Sequence, residues 1–331
     1  MISIFFIIIL VNLFIYINLN KISKIINLND YPNKKLKAHG KITPLLGGSI
    51  FIFNILFLFI YNQFFPSNFF DIFLNNSDKL LFLAILLIIF ILGFCDDKYN
   101  LSPNIKLLLL IVISTIFIFL DKNILIQNFS LSFFENKIFL KNYSIIFSIF
   151  CFVILINALN FYDGINCQSI IFFIITFAYL LIISKRYEFY YLILIILIFL
   201  FYLNFKNKIF LGDNGIYVLS ITLSMALIYE HNVHKNIIFA DEIFLLIILP
   251  GLDLVRLSFF RLLRKQNPFK GDRNHIHHLL IKKYSLIKTN LVLFFLGVAP
   301  IILFKVLKLN FFIVFTITIF IYFFIIVKSK K

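Results

Sequence analysis

Residues 79–97 read KLLFLAILLIIFILGFCDD, an apolar run with no charge between Lys79 and Asp96 that stops on two adjacent acids. At about 1.5 Å of rise per residue such a run nearly crosses the roughly 30 Å hydrocarbon layer of a membrane. A charge at the centre of that layer costs about 2.5–3.5 kcal/mol, so the helix is expected to end where the acids begin. The pattern recurs on both sides. Apolar runs near 2–20, 45–61, 105–121, 143–160, 168–184, 188–204, 214–230, 240–257, 290–304 and 309–327 join 79–95, giving an all-α polytopic membrane protein with about eleven transmembrane helices.

Composition agrees: 62% of the 331 residues are hydrophobic and 14% charged, with a mean hydropathy of +1.01, more apolar surface than a soluble domain of this size can hide. Phe, Ile, Asn and Lys are heavily used and Trp is absent, so single Phe, Ile or Asn choices carry little information. The net charge of +16 does not indicate nucleic acid, because the basic residues sit in short gaps between apolar runs. Cys95, Cys151 and Cys167 offer neither a disulfide framework nor a zinc spacing. The first run lacks a basic leader and reads as a membrane helix. No gap is large enough for a second domain, so residues 1–331 read as one integral-membrane domain.

If the N-terminus faces outward, 22 of the 31 Lys and Arg residues fall on the inner side, and the positive-inside rule then sets the C-terminus in the cytoplasm. The polar constellations sort the same way, each lying just past an apolar run and separated from the next by an even number of crossings. Asp96-Asp97 precedes Leu101-Ser102-Pro103, which suits a turn into the next helix. Adjacent carboxylates hold protons more tightly unless a cation offsets them, which suits a general base or a magnesium site; a solvated helix end is the plainer reading. Asn157, Asn160 and Asp163 recur every third residue, one slowly drifting stripe of a helix that either lines up oxygen ligands or bonds neighbouring helices. Gly212-Asp213 opens a run, where an acid is also favoured by the helix dipole. The basic loop 256–289 carries His275, His277 and His278 beside Arg273, a set suited to phosphate oxygens or lipid headgroups and poorly suited to zinc. Lys37, His39, Thr43, Pro44, Gly47 and Gly48 occupy the first inner loop, where paired glycines permit close backbone approach. Neither a P-loop nor a Rossmann glycine pattern is present.

In order and spacing, Lys37-x-His39…Thr43-Pro44-x-x-Gly47-Gly48, Asp96-Asp97…Leu101-Ser102-Pro103-x-x-Lys106, Asn157-x-x-Asn160-x-x-Asp163-Gly164, Leu211-Gly212-Asp213 and Asp272-Arg273-x-His275-Ile276-His277-His278 resemble the polyprenyl-phosphate N-acetylhexosamine-1-phosphate transferases of glycosyltransferase family 4. The His-Ile-His-His form is most similar to the undecaprenyl-phosphate N-acetylglucosaminyl-1-phosphate branch. The resemblance implies transfer of a sugar 1-phosphate from a UDP-sugar to undecaprenyl phosphate, with release of UMP. The site would lie on the cytoplasmic face of a bacterial plasma membrane, at the start of cell-wall or O-antigen synthesis. It implies Mg2+, with Mn2+ as an alternative ion, held by Asp213 and Asn160. Asp96, Asp97 and Asp163 would be catalytic, with Asp96 taking the proton of the lipid phosphate. Lys37, His39, Lys106, Asn157, Asn166, Arg273, His275, His277 and His278 would contact substrate, Asn166 at the uracil. A homodimer is compatible with the resemblance, and nucleic acid is not a partner. The chain departs from the usual Asp-Gly-x-Asp-Gly at Asn166-Cys167, and from the usual Ser at Ile216. The competing readings are an ion-coupled transporter, which asks for acids at mid-span, and an inactive relative.

Overall fold

The computed structural model describes residues 2–31, 42–66, 68–232, 237–267 and 273–330. Helices α1 (Ile2–Ile17) and α2 (Leu19–Ile26) are followed by a short pairing of β1 (Asn29–Asp30) with β2 (Thr43–Pro44). Then come α3 (Gly47–Phe64), α4 (Asn76–Tyr99) and α5 (Pro103–Leu120), and a hairpin of β3 (Asn128–Leu131) and β4 (Phe134–Phe139). The remainder is helical: α6 (Ser144–Tyr162), α7 (Gln168–Ile183), α8 (Tyr187–Phe205), α9 (Gly212–Asn232), α10 (Ala240–Leu246), α11 (Ile248–Leu263), α12 (Ile276–Ile281), α13 (Leu286–Ile301) and α14 (Phe311–Lys330).

The chain is therefore a mainly helical, multi-pass membrane protein. Every apolar run read from the sequence contains a helix. Among the described residues seven helices are long and apolar enough to cross a membrane, or up to nine if each of two bent pairs is one span. The 16-residue α7 is too short for that test, and α9, which carries Asp213, Asn214 and Glu230, is not among the seven. Two helix pairs are sharply bent: α1 and α2 by 70°, at the end of the first apolar run, and α10 and α11, read from the sequence as one run over 240–257, by 74°. The second bend has a visible cause. Pro250 has no N–H for the carbonyl of Leu246 and its ring crowds that carbonyl, so the helix breaks at Ile247. The hairpin is a further departure from an all-helical reading, placed in the gap between α5 and α6 where no hydrophobic run dictates a helix.

The residues group into two compact units, Met1–Lys106 with Phe177–Leu223, and Leu107–Thr176 with Ser224–Lys331. In the first, buried Phe69, Phe70, Phe73, Phe82 and Phe189 pack ring against ring and join α4 to α8. The β1–β2 pairing delivers Leu45 to Phe210, a single parallel bridge, and Gly47 N–H donates to the Phe210 carbonyl at 3.2 Å. This lays the first glycine pair along the start of α9. In the second unit Ser132 of the hairpin turn donates its N–H to Asp241 at 2.9 Å, and Tyr229 donates its hydroxyl to Asp121 at 2.6 Å.

Candidate functional site

In the first unit the site grows from glycines. A Cβ on Gly47 would lie 2.5 Å from Leu211 Cδ1, and one on Gly93 would lie 2.5 Å from the Cα of Asn214. Gly48 donates its N–H to Asn214 Oδ1 at 2.8 Å. Only residues without side chains let α3 and α4 come this close to the first turn of α9, which Gly212 enters at φ +73°. The same turn is closed by an acid. Asp97 accepts from the N–H groups of Asp213 at 2.9 Å and Asn214 at 3.0 Å, and from the Asn214 amide at 2.5 Å. A carboxylate on the first N–H groups of a helix satisfies donors that have no partner inside it, and meets the positive end of its dipole.

Asp96 points elsewhere. It is 1% exposed and accepts from the Leu101 N–H at 3.1 Å, the Tyr217 hydroxyl at 3.0 Å and the Lys106 ammonium at 2.6 Å. Lys106 also lies 3.7 Å from Asp213, whose side chain is 32% exposed. The three acids divide the work: Asp97 locks the helix start, Asp96 anchors a lysine, and Asp213 keeps 32% of its side chain exposed. The sequence placed Asp96, Asp97, Lys106 and Asp213 as candidates, and all four come together here. It missed Asn214 and Tyr217, which carried no signal beyond standing one and four residues after Asp213.

The second unit holds a different cluster. Asp253, 2% exposed on α11, pairs with Arg256 at 2.7 Å and with His275 Nδ1 at 2.7 Å. It also accepts from the Tyr322 hydroxyl at 2.7 Å and the Ile276 N–H at 3.2 Å. Arg256 in turn donates to the Asn274 carbonyl at 2.7 Å and to Tyr322 at 2.9 Å. Arg256 and Arg261, read from the sequence as part of a basic loop, are thus buried helix residues, and Arg261 lies over the Phe161 ring at 5.5 Å. Asp253 was passed over entirely, although an acid and an arginine three apart inside an apolar run are a legible sign of a buried pair.

His275 stacks between Phe161 at 5.7 Å and His277 at 5.4 Å. Gln168 Nε2 lies 3.2 Å from His277 Nδ1, and a side chain on Gly164 would overlap the His277 ring. Burial pushes His277 well below the ordinary imidazole range; burial, with His275 and Arg273 nearby, lowers His278 to about 4. Both rings are therefore neutral near pH 7. Asn157 donates to the Val153 carbonyl of its own helix at 2.8 Å, Asp163 follows the last turn of α6, and Asn290 donates to the Asn166 carbonyl at 2.9 Å. Asn157, Asn160 and Asp163 are half-buried, and Arg273 is exposed. Cys167 takes φ +69° with its side chain buried, a backbone shape that favours glycine, and burial pushes its thiol up to about 12. Lys37 and His39 lie outside the described residues. Among the described residues no three His, Cys, Asp or Glu side chains gather as a metal cage.

Comparison with known proteins bears on the same residues. The model of the family described as Glycosyl transferase family 4 matches residues 79–231, a stretch that holds Asp96, Asp97, Asn157, Asn160, Asp163 and Asp213. The chain is similar to the undecaprenyl-phosphate alpha-N-acetylglucosaminyl 1-phosphate transferase of Thermotoga maritima, 28% identical over 267 residues, 80% of this chain and 76% of that protein. It is similar to the protein of the same name from Escherichia coli K12, 24% identical over 298 residues, 82% of this chain and 76% of the other. A probable undecaprenyl-phosphate N-acetylglucosaminyl 1-phosphate transferase of Bacillus subtilis is 26% identical over 310 residues, 88% of this chain and 82% of that protein. The resemblance read from the motifs is thus borne out over most of the chain.

Proposed function

We propose that this chain transfers an N-acetylhexosamine 1-phosphate from a UDP-sugar to undecaprenyl phosphate, releasing UMP and leaving a lipid-linked diphosphate sugar. The reaction would take place at the cytoplasmic face of a bacterial plasma membrane and begin a cell-surface glycan such as O-antigen or a wall polymer. One observation carries the reading: Asp213, its side chain 32% exposed, stands in a turn that Asp97 locks and Lys106 flanks.

In the proposed reaction an oxygen of the lipid phosphate forms a bond to the sugar-bearing phosphorus of the donor. The bond from that phosphorus to the UMP oxygen breaks, and the electron pair leaves with UMP. The obstacle is the meeting of two anions, so positioning and charge neutralisation carry most of the catalysis. Magnesium favours hard oxygen donors and is commonly held by one or two carboxylates together with substrate phosphates and water, so a single presented carboxylate fits it without a protein cage. Asp213 would hold the ion, which when bound neutralises phosphate charge. Lys106, shared between Asp96 and Asp213, brings a second positive charge to the same place. Asp96 is proposed to take the proton of the acceptor phosphate and Asp97 to fix the helix start that presents Asp213. The parts of Asn160, Asp163, Asn166 and the histidines rest on the resemblance.

The test is magnesium-dependent release of UMP from UDP-N-acetylglucosamine in membranes supplied with undecaprenyl phosphate. Asp213→Ala should abolish release while the protein stays inserted and folded; near-normal turnover would remove Asp213 from the reading. Asp96→Asn should lower kcat far more than it raises KM for the donor, and equal losses in both would argue against a proton-taking role. No UMP release with any of a panel of UDP-sugars would favour the transporter or the inactive relative.

A further inference from the structure

Two imidazoles of the second unit stack with an interplanar angle of 7° and centroids 5.4 Å apart, yet they are held by chemically opposite partners. His275 turns Nδ1 to the Asp253 carboxylate at 2.7 Å, and a carboxylate oxygen only accepts, so the ring must carry a proton on Nδ1. His277 turns Nδ1 to Gln168 Nε2 at 3.2 Å, and an amide nitrogen only donates, so that ring nitrogen must be the acceptor. In a neutral imidazole the remaining proton then sits on Nε2. Both partners are themselves buried, Gln168 and Asp253 each 2% exposed, so water does not compete for either bond.

We infer that Asp253 and Gln168 are positioning residues that lock the stacked pair in opposite tautomers: His275 carries its proton on Nδ1, whereas His277 carries its own on Nε2 and so becomes a neutral donor for an anionic oxygen. The last clause rests on the function proposed above. Two further observations support it. His277 Nε2 is buried with no protein partner, and a buried N–H without an acceptor costs about 1–3 kcal/mol, a penalty that ligand binding can relieve. Gly164, exposed and next to Asp163, is the residue beside that nitrogen, and any side chain there would occupy the donor's space. A neutral N–H suits phosphate recognition here because burial makes a positive charge on the ring unfavourable. Asp253 has a separate task, since its hydrogen bonds to His275 and to the Ile276 N–H fix the stretch of chain on which His277 is carried.

The experiment is 15N NMR of the full chain in nanodiscs with labelled histidine, read together with UMP release. In the unsubstituted protein His277 should show a protonated Nε2 and an unprotonated Nδ1. Gln168→Glu places an acceptor where the donor stood, and should move the proton to Nδ1. With it kcat should fall by about tenfold or more, the worth of one hydrogen bond to a charged group, while KM for the UDP-sugar changes by less. Gln168→Met, which neither donates nor accepts strongly, should give a mixture of tautomers and an intermediate rate. A protonated Nδ1 on His277 in the unsubstituted protein overturns the inference even if neither variant folds. So does a tautomer that moves in Gln168→Glu with kcat unchanged. Correct tautomers in a protein that releases no UMP would uphold the assignment and remove the reaction it is proposed to serve.

Discussion

Asp97 and Asp253 both collect hydrogen bonds, but they hold different things. Asp97 takes backbone N–H groups and one amide at the start of α9, and its neighbours are glycines that let helices touch. Asp253 takes side chains from α11, α14 and the stretch before α12, including a buried guanidinium. The first acid finishes a helix; the second joins segments 69 residues apart in the chain. A cluster assembled on backbone donors needs few specific partners, whereas one assembled on charged side chains fails when any member is lost.

The contrast breaks most visibly at Asp253. Asp253→Ala leaves Arg256 buried without its counter-ion, a defect that typically costs about 3–5 kcal/mol. Thermal unfolding in detergent should show it, and a loss below about 1 kcal/mol would mean that the arginine finds water instead. Gly93→Ala tests the other cluster. Its new Cβ meets the Asn214 backbone, which cannot swing aside as a side chain can, and overpacking of this kind costs about 1–3 kcal/mol. Activity should fall with stability here, because the turn that shifts is the one that presents Asp213. A variant of normal stability and rate would show that α4 and α9 tolerate separation.

Cys167→Gly should act the opposite way. Releasing a non-glycine residue from φ +69° recovers about 1 kcal/mol, offset in part by the lost burial of the thiol, so the protein should be unchanged or slightly stabilised. A clear loss of stability would make the thiol a packing element. The effect at His278 shows only as the pH falls. Its folded value of about 4 lies below the ordinary value near 6.5, so the unfolded chain takes up the proton first as pH falls. Stability contributed by the neutral ring is present above about pH 6.5 and is lost toward pH 4. His278→Asn should flatten that part of the Tm profile between pH 7 and 5, and an unchanged slope would assign it to His277 or to carboxylates.

How much could be read from the sequence follows from the same difference. The helices were legible because each is a continuous apolar run, and Asp96-Asp97 and Gly212-Asp213 because a polar residue at the end of such a run stands out. Lys106 came with its turn, since Ser102-Pro103 starts a helix that brings it back over Asp96 within ten residues. The glycine contacts were legible as a permission for close approach, but the partner, Asn214, was not. Tyr322 was invisible: a hydroxyl in the last apolar run resembles every other aromatic in a chain with 15 tyrosines and 47 phenylalanines. Bends escaped because hydropathy is blind to direction, although Pro250 marked one of them.

The Asp253–Arg256 pairing also constrains how this region can drift. Either partner lost alone strands the other, while replacing both with apolar residues of similar volume is often neutral or better for stability. Lineages that change one position should therefore change the other at nearly the same time, together with Tyr322. In this corner of the protein, permissible sequences should form separate islands, with few viable single steps between them.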